Sequence, residues 1–401
     1  MFKKSLLAVA VLGTAAGFAC AADVTLYGKV DAGLVYTNSQ TKTTEAGATS
    51  KVKEHAFDMQ SGVNSASRFG LKGTEDLGNG LKVGFVLENS FNSDDGTLGH
   101  DGRLFGRQAT LSLMGDFGTL AMGRMGGVGS GAGTFNLFTA TADAFDGGNV
   151  DVMGLVTTSR YDNMITYQTP KFAGVQATFQ YSFKGNNVED DELEGFYDPS
   201  NGREGSAATD RYASVGLTGD FGALQTVLTY EYLNYASTNG KTDTAMLHNK
   251  DAQNGQLISL GGNYDCGFAK TFVAAQYFKD MKAGKDVVTG FGSVNSKSYN
   301  GVGYEKGYAF ALGTIVPVAG GDLTTAFYYQ DADTEYDDVK AANSEGSYKY
   351  YGLTTKYEYP LSKRTSLYAG AGVAQEKDEY KSNKEVKETM YQAFAGLTHS
   401  F

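Results

Sequence analysis

The chain has 401 residues, with 53 glycines, 26 tyrosines and 24 phenylalanines but 4 prolines and no tryptophan, and its formal net charge is -11. Abundant glycine with scarce proline excludes collagen and proline-rich disorder, and aromatic residues at 12% are too many for a disordered acidic chain. The acidic balance, without a basic patch of useful size, argues against nucleic acid as a partner. What remains is a large β protein.

Residues 1–21 form a predicted signal peptide. Two lysines give it a positive start, a short apolar stretch follows, and Ala19 and Ala21 are the small residues that a signal peptidase requires. We therefore expect cleavage before Ala22 and a mature domain over 22–401. No apolar run of about eighteen residues follows, which excludes a helical membrane protein.

Alternation of apolar and polar residues is the dominant signal in the mature chain. In 175–184, for example, apolar side chains occupy the odd positions from Val175 to Phe183, and polar ones occupy the even positions. Sixteen segments carry this pattern: 24–37, 66–75, 81–90, 105–115, 118–125, 160–169, 175–184, 210–219, 224–233, 256–264, 268–279, 305–316, 322–331, 347–359, 364–374 and 389–401. The mature length leaves ample room for the roughly 9–11 residues that each tilted membrane strand needs.

The connections between these segments alternate in length. Short turns, such as 116–118 and 220–222, alternate with long polar connections at 38–54, 92–104, 126–159, 185–209, 235–255, 280–304, 332–346 and 375–388. Short turns on one side and long loops on the other are typical of outer-membrane barrels, and closure pairs the backbone groups that an open edge would leave unsatisfied in lipid. We predict an all-β fold, a 16-stranded antiparallel transmembrane β-barrel, in preference to a soluble all-β sandwich or propeller.

Several short motifs occur in order along the chain. They are VTLYGK at 24–29, SRFGLKGTED at 67–76, GRQA at 106–109, GDFGTL at 115–120, RYDN at 160–163 and a final strand that ends on Phe401. With these motifs the chain resembles, from end to end, the general diffusion porins of Gram-negative bacteria, above all the β-proteobacterial and neisserial type.

The resemblance implies a water-filled channel of the Gram-negative outer membrane that lets small hydrophilic solutes and ions diffuse passively. It also implies a homotrimer, contact with outer-membrane lipid and lipopolysaccharide, and recognition of the C-terminal Phe401 by the barrel-assembly machinery. In this family the third long loop, 126–159 here, folds inward and narrows the channel. That loop opens with a glycine-rich run at 126–133, which we interpret as a hinge.

The predicted basic wall of the constriction consists of Lys29, Arg68, Arg107 and Arg160. Alternation directs Lys29 and Arg68 into the lumen, and it directs Arg160 there as well, with Tyr161 toward lipid. It places Arg107 on the lipid-facing side, so the resemblance alone assigns that residue. A structural role, or a place near a subunit contact, is the alternative for Arg160.

The predicted acidic side of the constriction consists of Asp143 and Asp146, near the tip of the third loop. Opposite charges across a narrow aqueous passage create a transverse field, which orients polar solutes and sets ion preference.

Two alternative functions stay open. One is a substrate-selective porin for a sugar or an anion, with an aromatic track or a longer basic ladder in its lumen. The other is a non-conducting structural or adhesive barrel whose third loop plugs the lumen. We expect no catalytic residue, no cofactor and no metal site, because none of the four histidines lies in a nucleophile or metal motif and Cys266 is the single cysteine of the mature chain.

Overall fold

The computed structural model describes residues 24–131, 133–146, 152–185, 204, 209–235, 254–282, 303–336 and 346–401. The predicted signal peptide lies outside the described residues, as do most of the predicted loops 185–209, 235–255, 280–304 and 332–346. In the described part the chain is almost entirely β-strand, with one short helix, α1 (Phe138–Ala142). No helix among these residues is long and apolar enough to cross a membrane.

Seventeen β-segments are described. They are β1 (Thr25–Glu45), β2 (Ala48–Ser61), β3 (Arg68–Gly78), β4 (Leu81–Ser90), β5 (Gln108–Gly115), β6 (Gly118–Gly126), β7 (Arg160–Gln168), β8 (Val175–Ser182), β9 (Arg211–Phe221), β10 (Leu224–Asn234), β11 (Gly255–Asp265), β12 (Lys270–Lys282), β13 (Gly303–Val318), β14 (Gly321–Tyr336), β15 (Gly346–Pro360), β16 (Thr365–Tyr380) and β17 (Lys384–Ser400).

The two edges of the sheet meet, which closes it into a barrel. β1 pairs antiparallel with β17 from Lys29 opposite Ser400 to Glu45 opposite Lys384. β2 and β3 both pair with β1, β2 along its outer part and β3 along residues 25–29, so together they fill one strand position. The described strands therefore form a closed, sixteen-stranded antiparallel barrel, which confirms the predicted fold class.

The wall strands present one face to the outside and the other to the interior. In β10, Leu228 and Tyr230 are exposed on the outside, whereas Thr229 and Glu231 are fully buried on the inside. Exposed leucine, valine, phenylalanine and tyrosine recur around the barrel in the same way. An outward apolar band of this kind is what a bilayer requires of a barrel.

Two predicted loops are strands instead. Residues 38–54 lie almost entirely in β1 and β2, which a tight turn joins at Ala46 and Gly47, with φ of 50° and 82°. Residues 375–388 likewise lie in β16 and β17, apart from the turn at 381–383. These stretches are polar because the strands continue past the roughly 9–11 residues that span a bilayer and pair in water, where neither face needs to be apolar.

The closing seam ends at the C-terminal residue. The Gly28 N–H donates to the Phe401 carbonyl and the Phe401 N–H donates to the Gly28 carbonyl, each at 3.1 Å. A Cβ at position 28 would come within 2.4 Å of the Phe401 ring and 2.7 Å of the Arg68 carbonyl oxygen. Glycine at this position therefore lets the terminal ring lie against β1.

We expect Gly28→Val to destabilise the barrel by roughly 1–3 kcal/mol, the usual cost of overpacking. Unfolding of the refolded, detergent-bound barrel in urea measures the effect. Leu26→Val is the matched control, because Leu26 is two residues away on the same face and is 60% exposed. An equal loss of stability in both variants would contradict the packing explanation.

Candidate functional site

The segment 126–159 leaves the wall after β6 and returns to it at β7, and its two arms are joined at the neck. The Gly127 N–H donates to the Ser159 carbonyl at 3.1 Å, and the Thr158 N–H donates to the Gly129 carbonyl at 3.3 Å. These two hydrogen bonds fix the point from which the segment enters the barrel.

Glu231 on β10 fastens this neck to the inner wall. Its Oε2 accepts hydrogen bonds from the Thr158 hydroxyl and from the Tyr212 hydroxyl, both at 2.6 Å. The Tyr212 oxygen also accepts from the Val128 N–H at 3.2 Å. A Cβ at Gly129 would come within 2.2 Å of Glu231 Oε1. The glycine-rich run therefore does more than bend, because it lets the neck approach a buried carboxylate.

Beyond the neck, the segment lies along the inner face of the wall. Helix α1 contacts β10, β11 and β12. After it, Asp143 Oδ1 accepts a hydrogen bond of 2.7 Å from the Tyr328 hydroxyl on β14. On the returning arm, the side-chain amide of Gln276 on β12 makes two hydrogen bonds of 2.8 Å to the backbone of Val156. Because these partners are buried inner-face residues, the described parts of the segment, residues 126–131, 133–146 and 152–159, lie inside the barrel.

Glycines in the wall make room for this segment. At several of them an added Cβ would come within 3.0 Å of a side chain of the segment: Gly216 against Leu137 (2.5 Å), Gly261 against Ala142 (2.4 Å), Gly313 against Ala144 (2.6 Å) and Gly372 against Val152 (2.7 Å). Apolar side chains from both partners are buried between segment and wall, so the core of the protein lies inside the barrel.

Arg68 and Arg107, two of the predicted basic residues, meet around Glu88 on β4. Arg107 Nε lies 2.7 Å from Glu88 Oε1, and Arg68 Nε lies 4.0 Å from Oε2. The Tyr27 hydroxyl also donates to Oε2, at 2.9 Å. Lys29 lies close enough to interact electrostatically with Arg68. Arg107 turns inward because it precedes β5, so the alternation of that strand does not govern its direction.

The two predicted acidic residues of the loop have different surroundings. Asp143 is buried against Tyr328, whereas Asp146 is exposed in the interior and interacts electrostatically with Arg68 and Lys29. Protein still surrounds much of the Asp146 carboxyl group. The pKa of Asp146 is therefore raised, mainly by this desolvation and to a lesser extent by the negative charge of Asp143. The positive charges of Arg68 and Lys29 oppose the increase.

Arg160 interacts electrostatically with the Glu88 group and with a second cluster around Asp162. Asp162 Oδ1 lies 2.7 Å from Arg124 Nη1 and 2.9 Å from Arg103 Nη1. The pKa of the His100 imidazole is lowered to about 3, mainly because the ring is buried. The positive charges of the neighbouring arginines, above all Arg160, lower it further. The His100 imidazole is therefore neutral near pH 7 and adds no charge to the cluster.

The predicted outward direction of Tyr161 is wrong. The Tyr161 side chain is buried in the interior, where it stacks on Tyr212 with the ring centroids 4.1 Å apart. Asn163 has a φ of 51°, and the register between β6 and β7 shifts in this region. Such a bulge breaks the alternation of faces. Arg160 stays a predicted pore residue, but alternation no longer supports it.

Sequence reasoning missed two charged residues of the inner wall, Lys356 and Glu358 on β15. Lys356 Nζ lies 3.1 Å from Glu358 Oε2 and 5.7 Å from the centre of the Phe145 ring on the loop. Lys356 and Glu358 alternate with Tyr357 and Tyr359, so the period of two could have identified them.

The chemistry of these groups is electrostatic. Lys29 on β1 and Arg68 on β3 interact electrostatically with Asp146 on the segment, and Lys356 on β15 lies over the neighbouring Phe145 ring. Opposite charges of this kind produce a field across the water between them. Among the described residues, no three side chains of the His, Cys, Asp and Glu types come together in a way that could hold a metal ion.

Comparison with known proteins gives a consistent result. A family profile described as Gram-negative porin matches residues 8–379. The chain is 34% identical to an outer membrane porin protein of Bordetella pertussis, over 92% of this chain and 93% of that protein. It is 28% identical to the major outer membrane protein P.IB of Neisseria gonorrhoeae, over 92% and 93% of the two chains.

The solved structures include an anion-selective porin from Comamonas acidovorans. It superposes on this chain with a TM-score of 0.62 at 26% sequence identity, covering 95% of this chain and 100% of that one.

We expect Glu231→Ala to loosen the neck of the loop, because it removes two hydrogen bonds to a buried carboxylate, worth roughly 1–3 kcal/mol each. Hydrogen exchange of the amides in 127–131 should accelerate. Glu231→Gln is the matched control, since its carbonyl oxygen can still accept from Thr158 and Tyr212, and it should stay close to the wild type. Fast exchange in the glutamine variant, or unchanged exchange in the alanine variant, would refute the role of Glu231 as an anchor.

Proposed function

The chain belongs to the Gram-negative porin family, and from this premise we propose how its channel is narrowed and how it treats ions. The closed barrel forms a water-filled channel through the outer membrane, through which small hydrophilic solutes and ions diffuse passively. The segment 126–159 narrows this channel from within. The passage that is left runs between Asp146 on the segment and the basic residues Lys29, Arg68 and Arg107 on the wall.

The position of the loop tip carries this proposal, because Phe145 lies 5.7 Å from Lys356 Nζ on the wall and Asp146 interacts electrostatically with Arg68 and Lys29. It brings the acidic tip of the loop near the basic wall, inside a barrel whose outer face is apolar. Glu88 and Glu358 pair with Arg107 and Lys356, so they partly balance the positive charge of the wall. A balanced passage favours general diffusion with modest ion preference over strict selection of one sign of charge.

The two alternatives have less support. A sugar-selective pore needs aromatic rings exposed to the lumen, but Tyr328 and Tyr350 on the inner wall are buried beneath the loop. A non-conducting barrel needs a lumen that is filled completely, whereas Asp146 keeps its exposure inside the barrel.

The proposed partners follow from the family and from the outer surface. A shallow apolar groove with small residues, lined by Ala32, Leu34, Leu367, Ala369 and Leu397, offers close contact for another subunit of a homotrimer. Lipopolysaccharide would surround the exposed wall, and the assembly machinery would recognise Phe401. Native electrophoresis of the detergent-extracted protein tests the trimer.

Conductance of the refolded mature protein in a planar bilayer tests the channel itself. Stepwise increases in current, in groups of three for a trimer, are the expected result. A folded barrel that carries no current would contradict the proposed function and leave the structural or adhesive barrel.

We expect Asp146→Asn to move the reversal potential in a KCl gradient toward anion preference, because it removes the negative charge that faces Lys29 and Arg68. Asp116→Asn is the matched control, since Asp116 is exposed in the turn between β5 and β6, away from the lumen. The same shift in both variants, or no shift in either, would remove Asp146 from the constriction.

The raised pKa of Asp146 predicts a pH dependence. A carboxyl group with a raised pKa takes up its proton at a higher pH than an ordinary aspartate, so the loop loses its charge early as the pH falls. The basic wall keeps its charge in acid, and the reversal potential should therefore move toward anion preference. In Asp146→Asn this early change should be absent, and its persistence there would assign it to another group.

A further inference from the structure

We propose that residues 62–67, between β2 and β3, form a second inward element that narrows the pore opposite the loop 126–159 and helps to set its ion preference. This inference rests on the proposed function of the barrel as a channel. In it Asn64 and Ser65 hold the basic side chains of the wall in place and line the passage.

The pairing register shows that residues 62–67, which we call the insertion, contain four residues more than the facing stretch of β1. Ala32 of β1 lies opposite Ser61, so an unbroken register would place Asn64 opposite Lys29. Arg68 lies there instead, four residues further on. Because four is an even number, the alternation of faces is the same on both sides of the insertion. The extra residues therefore leave the wall without disturbing it.

The insertion folds over the inner face of β1. The Gly62 N–H donates to the Asp31 carbonyl at 3.0 Å, and the Asn64 N–H donates to Asp31 Oδ1 at 3.2 Å. Val63 between them is buried, and its Cγ2 lies 3.0 Å from the place of a Cβ on Gly33. Asp31 and Gly33 both belong to the inner face, so the insertion lies in the lumen.

Asn64 extends the insertion around the wall. Its Nδ2 donates to Glu358 Oε2 at 3.2 Å and to Thr398 Oγ1 at 3.3 Å. Its Oδ1 accepts a hydrogen bond from Lys356 Nζ. Since β15, which carries Lys356 and Glu358, lies beyond β1, β17 and β16 in the sheet, the insertion reaches across three neighbouring strands.

Ser65 links the insertion to the predicted basic wall. Its hydroxyl oxygen accepts from Lys29 Nζ at 3.3 Å and from Arg68 Nη1 at 3.4 Å, and the Ala66 carbonyl accepts from Arg68 Nη1 at 3.0 Å. Residues 64–66 are only half buried, so they keep contact with the water of the lumen.

The insertion and the loop thus approach each other from opposite sides of the passage. Lys356, held by Asn64, lies over the ring of Phe145 on the loop, and Asp146 next to it interacts with Lys29 and Arg68, which Ser65 holds. A charge added to the insertion should therefore be felt by every permeating ion.

Deletion of residues 63–66 tests the steric part of the proposal. It would join Gly62 to Ser67, restore an unbroken register with β1 and keep Lys29 opposite Arg68. We expect a folded barrel with a larger single-channel conductance than the wild type. Heat-modifiable migration in gels verifies folding, and an unchanged conductance from the folded variant would overturn the narrowing.

Asn64→Asp tests the electrostatic part without changing the backbone and serves as the second variant if the deletion fails to fold. Asn383→Asp, in the outer turn between β16 and β17, is the matched control, because it adds the same charge far from the lumen. We expect the reversal potential to move toward cation preference in Asn64→Asp and to stay unchanged in Asn383→Asp.

The outcomes separate this inference from the proposed function. Absence of current in the wild type would contradict the channel itself. A conducting wild type whose reversal potential does not respond to Asn64→Asp would leave the channel intact and refute the role of residues 62–67.

Discussion

A sheet in hydrocarbon cannot leave an edge, because each unpaired backbone group there costs several kcal/mol. In this chain the pairing of β1 with β17 removes the edges, and it extends from the terminal Phe401 to the pair Glu45 and Lys384, each beside an outer turn. Once the wall is closed, one face of every strand must satisfy lipid and the other is free to carry charge. The positions of the lumenal residues follow from this constraint.

A closed wall of this size encloses an interior that either side chains or water must occupy. In this chain the loop 126–159 packs against part of the inner wall. Glycines on the inner face receive Leu137, Ala142, Ala144 and Val152 of the loop, which buries an apolar core between loop and wall. At the neck, Glu231 and Tyr212 hold the loop by hydrogen bonds. These inner-face glycines let a second layer of chain fit inside the barrel.

Much of the barrel could be predicted from the sequence because strand alternation is a local property. It located sixteen strand positions and the inward direction of Lys29 and Arg68. It failed where the backbone departs from regular pairing. The bulge near Asn163 turned Tyr161 inward, and the insertion at 62–67 left no trace because four extra residues preserve the alternation of faces. The polar outer halves of β1 and β17 have the composition of loops, since a strand that pairs in water needs no apolar face.

The contacts of the site were less predictable than its residues. The resemblance selected Arg107 against the alternation argument, and the structure explains why, because Arg107 lies just before β5 and pairs with Glu88. Glu88 on β4 is separated by a long stretch of sequence from Lys356 and Glu358 on β15, so only the closed sheet brings these charges into the same interior. Asp143 and Asp146 are three residues apart, yet one is buried against Tyr328 and the other is exposed, a difference that depends on tertiary packing.

We propose that the loop 126–159 lies in the path of the permeating ions, and a single cysteine tests this proposal most directly. Asp146→Cys in a Cys266→Ser background provides one thiol, because Cys266 is the free cysteine of the mature chain and lies exposed in a short turn. A bulky, water-soluble thiol reagent added during a single-channel recording should lower the conductance in discrete steps. A conductance that stays constant after complete modification would contradict the account.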